Sequence, residues 1–140
     1  MENSRYFPFF RFSMSFFPVH RSKVISIVEG HSELRSLLRI LISGYGYRVT
    51  ESANHREALE KANRQRPDLF LIDISAQPTD ALSVVKTLKH LDGCREIPVI
   101  GLARYTSNFF HQAMHAGCSE LLEKPLDFGT LKFILKQYLS

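Results

Sequence analysis

Three short runs in this chain, VISIV at 24–28, LFLI at 69–72 and PVIGLA at 98–103, are apolar at nearly every position. A strand with one face in water alternates between apolar and polar residues, and these do not. Each run is too short for a helix and is rich in β-branched residues, so each predicts a strand buried on both faces. Amphipathic stretches lie between them. In SELRSLLRILISG, Leu34, Leu37, Leu38 and Leu41 fall at helical spacing, with Ser32 as the expected N-cap and Gly44 and Gly46 to end the helix. YRVTES reads as a second strand. Asn54 to Glu57 has the spacing of a capping box before Ala58, Leu59 and Ala62, and Pro67 stops that helix or marks the loop after it. TDALSVVKTLKHL is the third helix, and a fourth runs from about Ser107 to Ala116, ended by Gly117. LLEK is a short fifth strand. Asp127 caps a last helix through Leu131, Ile134, Leu135 and Tyr138.

Five βα units with short connections and right-handed crossovers predict an α/β fold. It is a doubly wound five-stranded parallel sheet with helices on both faces. The predicted domain spans residues 23–140.

Residues 1–22 differ from the rest. Six of the eleven phenylalanines stand here (Phe7, Phe9, Phe10, Phe12, Phe16 and Phe17), with no helical or alternating period. Arg11 breaks the apolar core that a signal peptide needs, and no small-residue cleavage site follows. The segment reads as a flexible leader, or as sequence upstream of a start at Met14. Other readings are an aromatic arm that docks on a partner or on this domain, and weak peripheral membrane contact.

The formal net charge of +4 is mild, and no Lys/Arg cluster forms a stripe, so the charge pattern gives nucleic-acid binding little support. No apolar run approaches the roughly 18 residues of a membrane span. Cys94 and Cys118 have neither metal spacing nor a local histidine, and read as small buried residues of a reducing, cytoplasmic compartment.

In doubly wound sheets, ligands bind outside the carboxyl ends of the strands. Here those ends are Glu29, Asp73, Ala103 and Lys124. Two acids and a lysine converge. A partly buried charge has to be paired, so the residues read either as a structural ion pair of Asp73 with Lys124, or as a reactive carboxylate beside a cation that receives anionic oxygens.

The order VISIVEG, RPDLFLID followed by TDA, IPVIGLA, then AGCSELLEKPLD, inside that frame, resembles the receiver domain of two-component response regulators, from about Lys23 to Leu139. The resemblance implies a flavodoxin-like fold and a signalling module rather than an enzyme. It places the phosphoacceptor at Asp73, which would take a phosphoryl group from a histidine of a sensor kinase or phosphotransfer protein. Lys124 would pair with that phosphoryl group, with Pro125 after it in a bond that is often cis in the family. Glu29 would be the first of two acids that handle Mg²⁺. Asp80, before the small Ala81, matches a loop or helix-start position.

The chain departs from the pattern in four places. The second acid is replaced by Gly30, so Mg²⁺ is left with Glu29 and Asp73 and binds weakly or not at all. His31 points elsewhere and is a poor substitute. Ala103 stands where the family has Ser or Thr, and Leu121 where many members have a switching aromatic. Pro78, in the loop ISAQP, sits one place late.

Two functions stay open from the sequence. One is a stand-alone receiver phosphorylated at Asp73 that signals by docking to a downstream protein. The other is a pseudo-receiver kept as a phosphorylation-independent interaction module. The resemblance implies that the docking and possible homodimer face is the fourth helix, fifth strand and fifth helix, with Phe109, Phe110 and Tyr138 as exposed candidates and at least one of them expected in the core. A flavin-binding enzyme on the same sheet is excluded, because EGHSELR is not a Ser/Thr/Gly-rich phosphate loop.

Overall fold

The computed structural model describes residues 21–75, 78–108 and 110–140. Its five strands are β1 (Val24–Val28), β2 (Arg48–Ser52), β3 (Leu69–Asp73), β4 (Val99–Ala103) and β5 (Glu120–Glu123). All are parallel, in the order β2-β1-β3-β4-β5. The helices are α1 (Ser32–Gly44), α2 (His55–Arg64), α3 (Pro78–His90), α4 (Phe110–Ala116) and α5 (Phe128–Leu139). The expected doubly wound sheet is present. The leader, Phe109 and the Ala76–Gln77 part of the loop before Pro78 lie outside the described residues.

The apolar runs sit where their composition demands. β1, β3 and β4 are buried along almost their whole length. Side chains alternate across the sheet, so each run feeds two cores at once. Val28, Phe70, Ile72 and Val99 pack with α2, α3 and α4 through Ala58, Val85, Leu88 and Ala113. Ile25, Ile27, Leu69, Leu71, Ile100 and Leu102 pack with α1 and α5 through Leu38, Ile42, Leu131 and Leu135. Burying one such side chain contributes about 1.5–3 kcal/mol, so helices on both faces are needed to collect it.

Local signals held in part. Asn54 Oδ1 accepts from the Glu57 amide at 2.9 Å, and Glu57 Oε1 accepts from the Ala53 amide at 2.8 Å. Asp127 caps α5 by accepting from the Gly129 amide at 3.0 Å. Gly46, at φ +101°, follows the end of α1, where a left-handed residue is wanted. The N-cap of α1 is His31, not Ser32, and its side chain makes no capping bond. The reason is the Glu29 carboxylate, which accepts from the His31 amide at 3.0 Å and starts the helical turn one residue early.

Two boundaries shift. β5 ends at Glu123, so Lys124 stands just past the strand. The helix predicted from Ser107 is a short 3₁₀ turn, Thr106–Asn108, before α4. Tyr105 turns the chain with φ +54°, and the amide and hydroxyl of Thr106 both donate to Glu123 Oε1, at 3.2 and 3.1 Å. That tether ties the β4–α4 loop to the end of β5.

Both cysteines are buried and free. Burial pushes the Cys118 thiol from 9.0 up to about 11, with Lys89 pulling weakly the other way. Between those values the unfolded chain has released a proton that the folded chain keeps. Stability therefore falls as pH rises from 9 to 11, by about 2 kcal/mol at roughly 1.4 kcal/mol per unit of the shift. Lys89, held below its ordinary value by burial, works with the opposite sign. Urea midpoints at pH 9 and 11 isolate the thiol: wild type loses about 2 kcal/mol more than Cys118→Ala. Equal losses would count against a buried thiol.

Candidate functional site

The strand order reverses between β1 and β3, since β2 lies on one side of β1 and β3–β5 on the other. A crevice opens at such a reversal, outside the carboxyl ends of the strands. β1 delivers Glu29 to it and β3 delivers Asp73. Register keeps the two level, because Val28 and Ile72 are paired partners and each acid follows its own strand partner by one. β5 brings Lys124, whose amide donates to Ala103 O at 2.9 Å. The Lys124–Pro125 bond is cis.

The three charges meet. Lys124 Nζ lies 2.9 Å from Glu29 Oε1 and 3.4 Å from Asp73 Oδ2. The Glu29 side chain is 1% exposed, Asp73 10% and Lys124 13%. A carboxyl as deeply buried as that of Glu29 needs polar partners, and it has them. Lys124 holds one oxygen and the His31 amide the other. The Arg35 guanidinium donates to the Glu29 carbonyl at 2.7 Å and fixes the end of β1. The sequence pairs Lys124 with Asp73. In the structure it bridges two acids and sits closer to Glu29.

Asp73 has a second set of contacts that the sequence reading missed. Ser75 donates to Asp73 Oδ1 twice, from its amide at 2.9 Å and from its hydroxyl at 2.6 Å. A serine two residues after an acid at a strand end is the available signal, since such residues close turns onto a carboxylate.

Gly30 supplies no ligand. Among the described residues, no group of three or more His, Cys, Asp or Glu side chains is placed to hold a metal ion. His31 is exposed, and Asp80 is an exposed residue in the first turn of α3. Ala103 is fully buried and brings no hydroxyl. Leu121 packs against the α3–α4 core beside Gly101, where an added Cβ would come within 2.8 Å of Leu121 Cδ1. The small residue in β4 makes the room that Leu121 fills.

A groove of about 820 Å³ adjoins the charged cluster, lined by His31, Leu34, Leu37, Tyr105, Lys124 and Phe128 among others. On the α4–β5–α5 face, Phe110 is exposed, and Tyr138 is at the margin of exposure with its hydroxyl donating to Glu120 Oε2 at 2.8 Å. That bond, more than burial, raises the Tyr138 phenol above its usual range. No helix of the described residues is long and apolar enough to cross a membrane.

Comparison with known proteins agrees with this architecture. The model of the response regulator receiver domain matches residues 25–136. The polar-differentiation response regulator DivK of Brucella anthropi is 34% identical over 119 residues, which cover 84% of this chain and 97% of that protein. The receiver domain of a sensor histidine kinase from Pseudomonas aeruginosa was solved with a magnesium ion coordinated in its active-site cleft. It superposes with a TM-score of 0.76 at 26% identity, over 84% of this chain and 98% of that one. The chemotaxis protein CheY4 of Vibrio cholerae reaches a TM-score of 0.80 at 24% identity, over 85% and 100%, which speaks to the fold. With most of its length matched by the family model and a DivK relative covered almost end to end, the chain belongs to the response regulator receiver domain family.

Proposed function

We propose that this receiver accepts a phosphoryl group on Asp73, slowly and with weak Mg²⁺ dependence, from a phosphohistidine of a sensor kinase or histidine phosphotransfer protein. The observation that carries the reading is Lys124 Nζ, held between Glu29 and Asp73 with 3.4 Å to the Asp73 carboxylate. A carboxylate oxygen of Asp73 attacks phosphorus. The N–P bond breaks, its electron pair returns to the imidazole nitrogen, and an O–P bond forms. Lys124 stands where the incoming phosphoryl oxygens gather, and a charge-assisted contact there favours the product.

Mg²⁺ suits the oxygen donors present but finds few of them. It is a hard ion that leans on one or two carboxylates plus phosphate. Glu29 and Asp73 would hold it, and one Glu29 oxygen and one Asp73 oxygen are already committed to Lys124. When bound it would neutralise charge on the phosphoryl oxygens. With Gly30 in place of an acid, the cluster has a formal charge of −1, so affinity is low.

Output is by docking to a downstream protein, with the α4–β5–α5 face as the surface for that partner or for a second copy. The second reading, a phosphorylation-independent module, is favoured by Ala103 and Leu121. A buried alanine and a packed leucine give a phosphoryl group no hydroxyl to pull and no aromatic to turn.

Phosphoramidate, which donates a phosphoryl group as phosphohistidine does, tests the choice. The expected product is one phosphoryl group that hydroxylamine removes, mapped to the peptide with Asp73 and absent in Asp73→Asn. Label that resists hydroxylamine, or none at all, supports the second reading.

A further inference from the structure

We propose that Ser75 is a positioning residue that holds Asp73 in a self-capped state and so sets how readily its carboxylate reacts. The inference rests on the reading of Asp73 as an acceptor. Four observations lead to it. Both Ser75 donors reach the same oxygen, Asp73 Oδ1, and the hydroxyl does so at 2.6 Å, the length of a charge-assisted bond. The other oxygen, Oδ2, faces Lys124. Asp73 is nearly buried, so solvent cannot readily replace a lost donor. The hydroxyl at the end of β4 that would otherwise serve this site is missing, since Ala103 stands there. Ser75 is thus a hydroxyl of this pocket that meets the acceptor.

The chemistry follows from what a hydrogen bond does to a nucleophile. A donor on Oδ1 stabilises the charge that the oxygen must share with an incoming electrophile. Attack through Oδ1 requires the hydroxyl to let go or turn toward the new group. Ser75→Ala removes that donor and leaves the amide bond in place. Ser75→Thr keeps the hydroxyl.

Two readouts test the cap. In the first, phosphorylation by phosphoramidate is followed by intact mass. Ser75→Ala is expected to label about tenfold faster than wild type, and Ser75→Thr at the wild-type rate. The second needs no phosphoryl group. A water-soluble carbodiimide with glycine ethyl ester labels reactive carboxyl groups, and peptide mass gives the yield at Asp73. Ser75→Ala is expected to label several-fold more at Asp73, with Ser75→Thr unchanged. If wild type takes no phosphoryl group, the acceptor reading fails and the carbodiimide comparison alone decides the cap. Equal carbodiimide labelling in all three proteins overturns it and leaves an ordinary turn closed on an aspartate. Equal gains in Ser75→Ala and Ser75→Thr overturn it as well, since they would report loosened packing rather than a lost hydroxyl.

Discussion

Replacing Gly30 by aspartate raises Mg²⁺ affinity by about tenfold or more, read by calorimetric or NMR titration. The backbone admits the change. Gly30 is not in the left-handed region, and an added Cβ meets only Ala53 O, at an ordinary 3.5 Å. The new carboxylate restores a formal −2 beside a divalent ion. Unit charges about 4 Å apart interact by roughly 4 kcal/mol at a near-surface effective dielectric, and tenfold in affinity needs only about 1.4 kcal/mol of that. The same substitution has a cost without metal. Three acids then face Lys124, so the apo variant is less stable than wild type, and Mg²⁺ recovers the loss by binding the folded state. A variant that binds Mg²⁺ no better than wild type removes Gly30 as the cause of weak metal binding.

Replacing Lys124 by methionine lowers stability by about 3 kcal/mol, read from urea midpoints. The stem volume is kept and the charge is lost, which leaves Glu29, 1% exposed, and Asp73, 10% exposed, facing each other with no cation between them. Breaking a buried pair by deleting one partner costs about 3–5 kcal/mol. The exposed Arg56–Glu60 pair serves as the control, since Arg56→Ala is expected to cost well under 1 kcal/mol. A loss at Lys124 as small as that control would mean that water, not lysine, solvates Glu29. The double variant Gly30→Asp, Lys124→Met is expected to be the least stable and the most rescued by Mg²⁺.

These two effects define one cluster whose charge is set by four positions, 29, 30, 73 and 124. Receiver domains act in two-component signalling, as exchange partners of histidine kinases and as switches for downstream proteins. On the proposed reading, the acceptor side of that machinery is complete in type: an acid at the end of β3 and a lysine after β5. The metal side lacks an acid at Gly30, and the relay side lacks a hydroxyl at Ala103 and an aromatic at Leu121. Acceptance and relay can therefore fail separately, and the tests above separate them.

Much of the frame was legible because burial on both faces leaves a mark in composition. LFLID has no polar residue before its last position, and only a covered strand tolerates that. Once the sheet was doubly wound, topology alone brought Glu29, Asp73 and Lys124 to one edge. Contacts between distant residues left no such mark. Lys124 lies nearer to Glu29, at 2.9 Å, than to Asp73, at 3.4 Å, and no spacing encodes that. The helix after β4 starts later than its sequence signal, because Glu123 reaches across to Thr106 and holds the loop in a 3₁₀ turn. His31 displaced Ser32 as the N-cap through the Glu29 carboxylate, a contact that cap preference ignores. Ser75 has a local signal, a hydroxyl two residues beyond an acid, but a weaker one than the strand-end charges.

The central claim is that Asp73 accepts a phosphoryl group while the metal site beside it is weak. Incubation with acetyl phosphate and Mg²⁺, followed by intact mass over time with Asp73→Asn as control, tests both halves. The account predicts slow and partial addition of one phosphoryl group to wild type and none to the control. Prompt stoichiometric labelling would contradict the weak metal site, and labelling that persists in Asp73→Asn would contradict the acceptor.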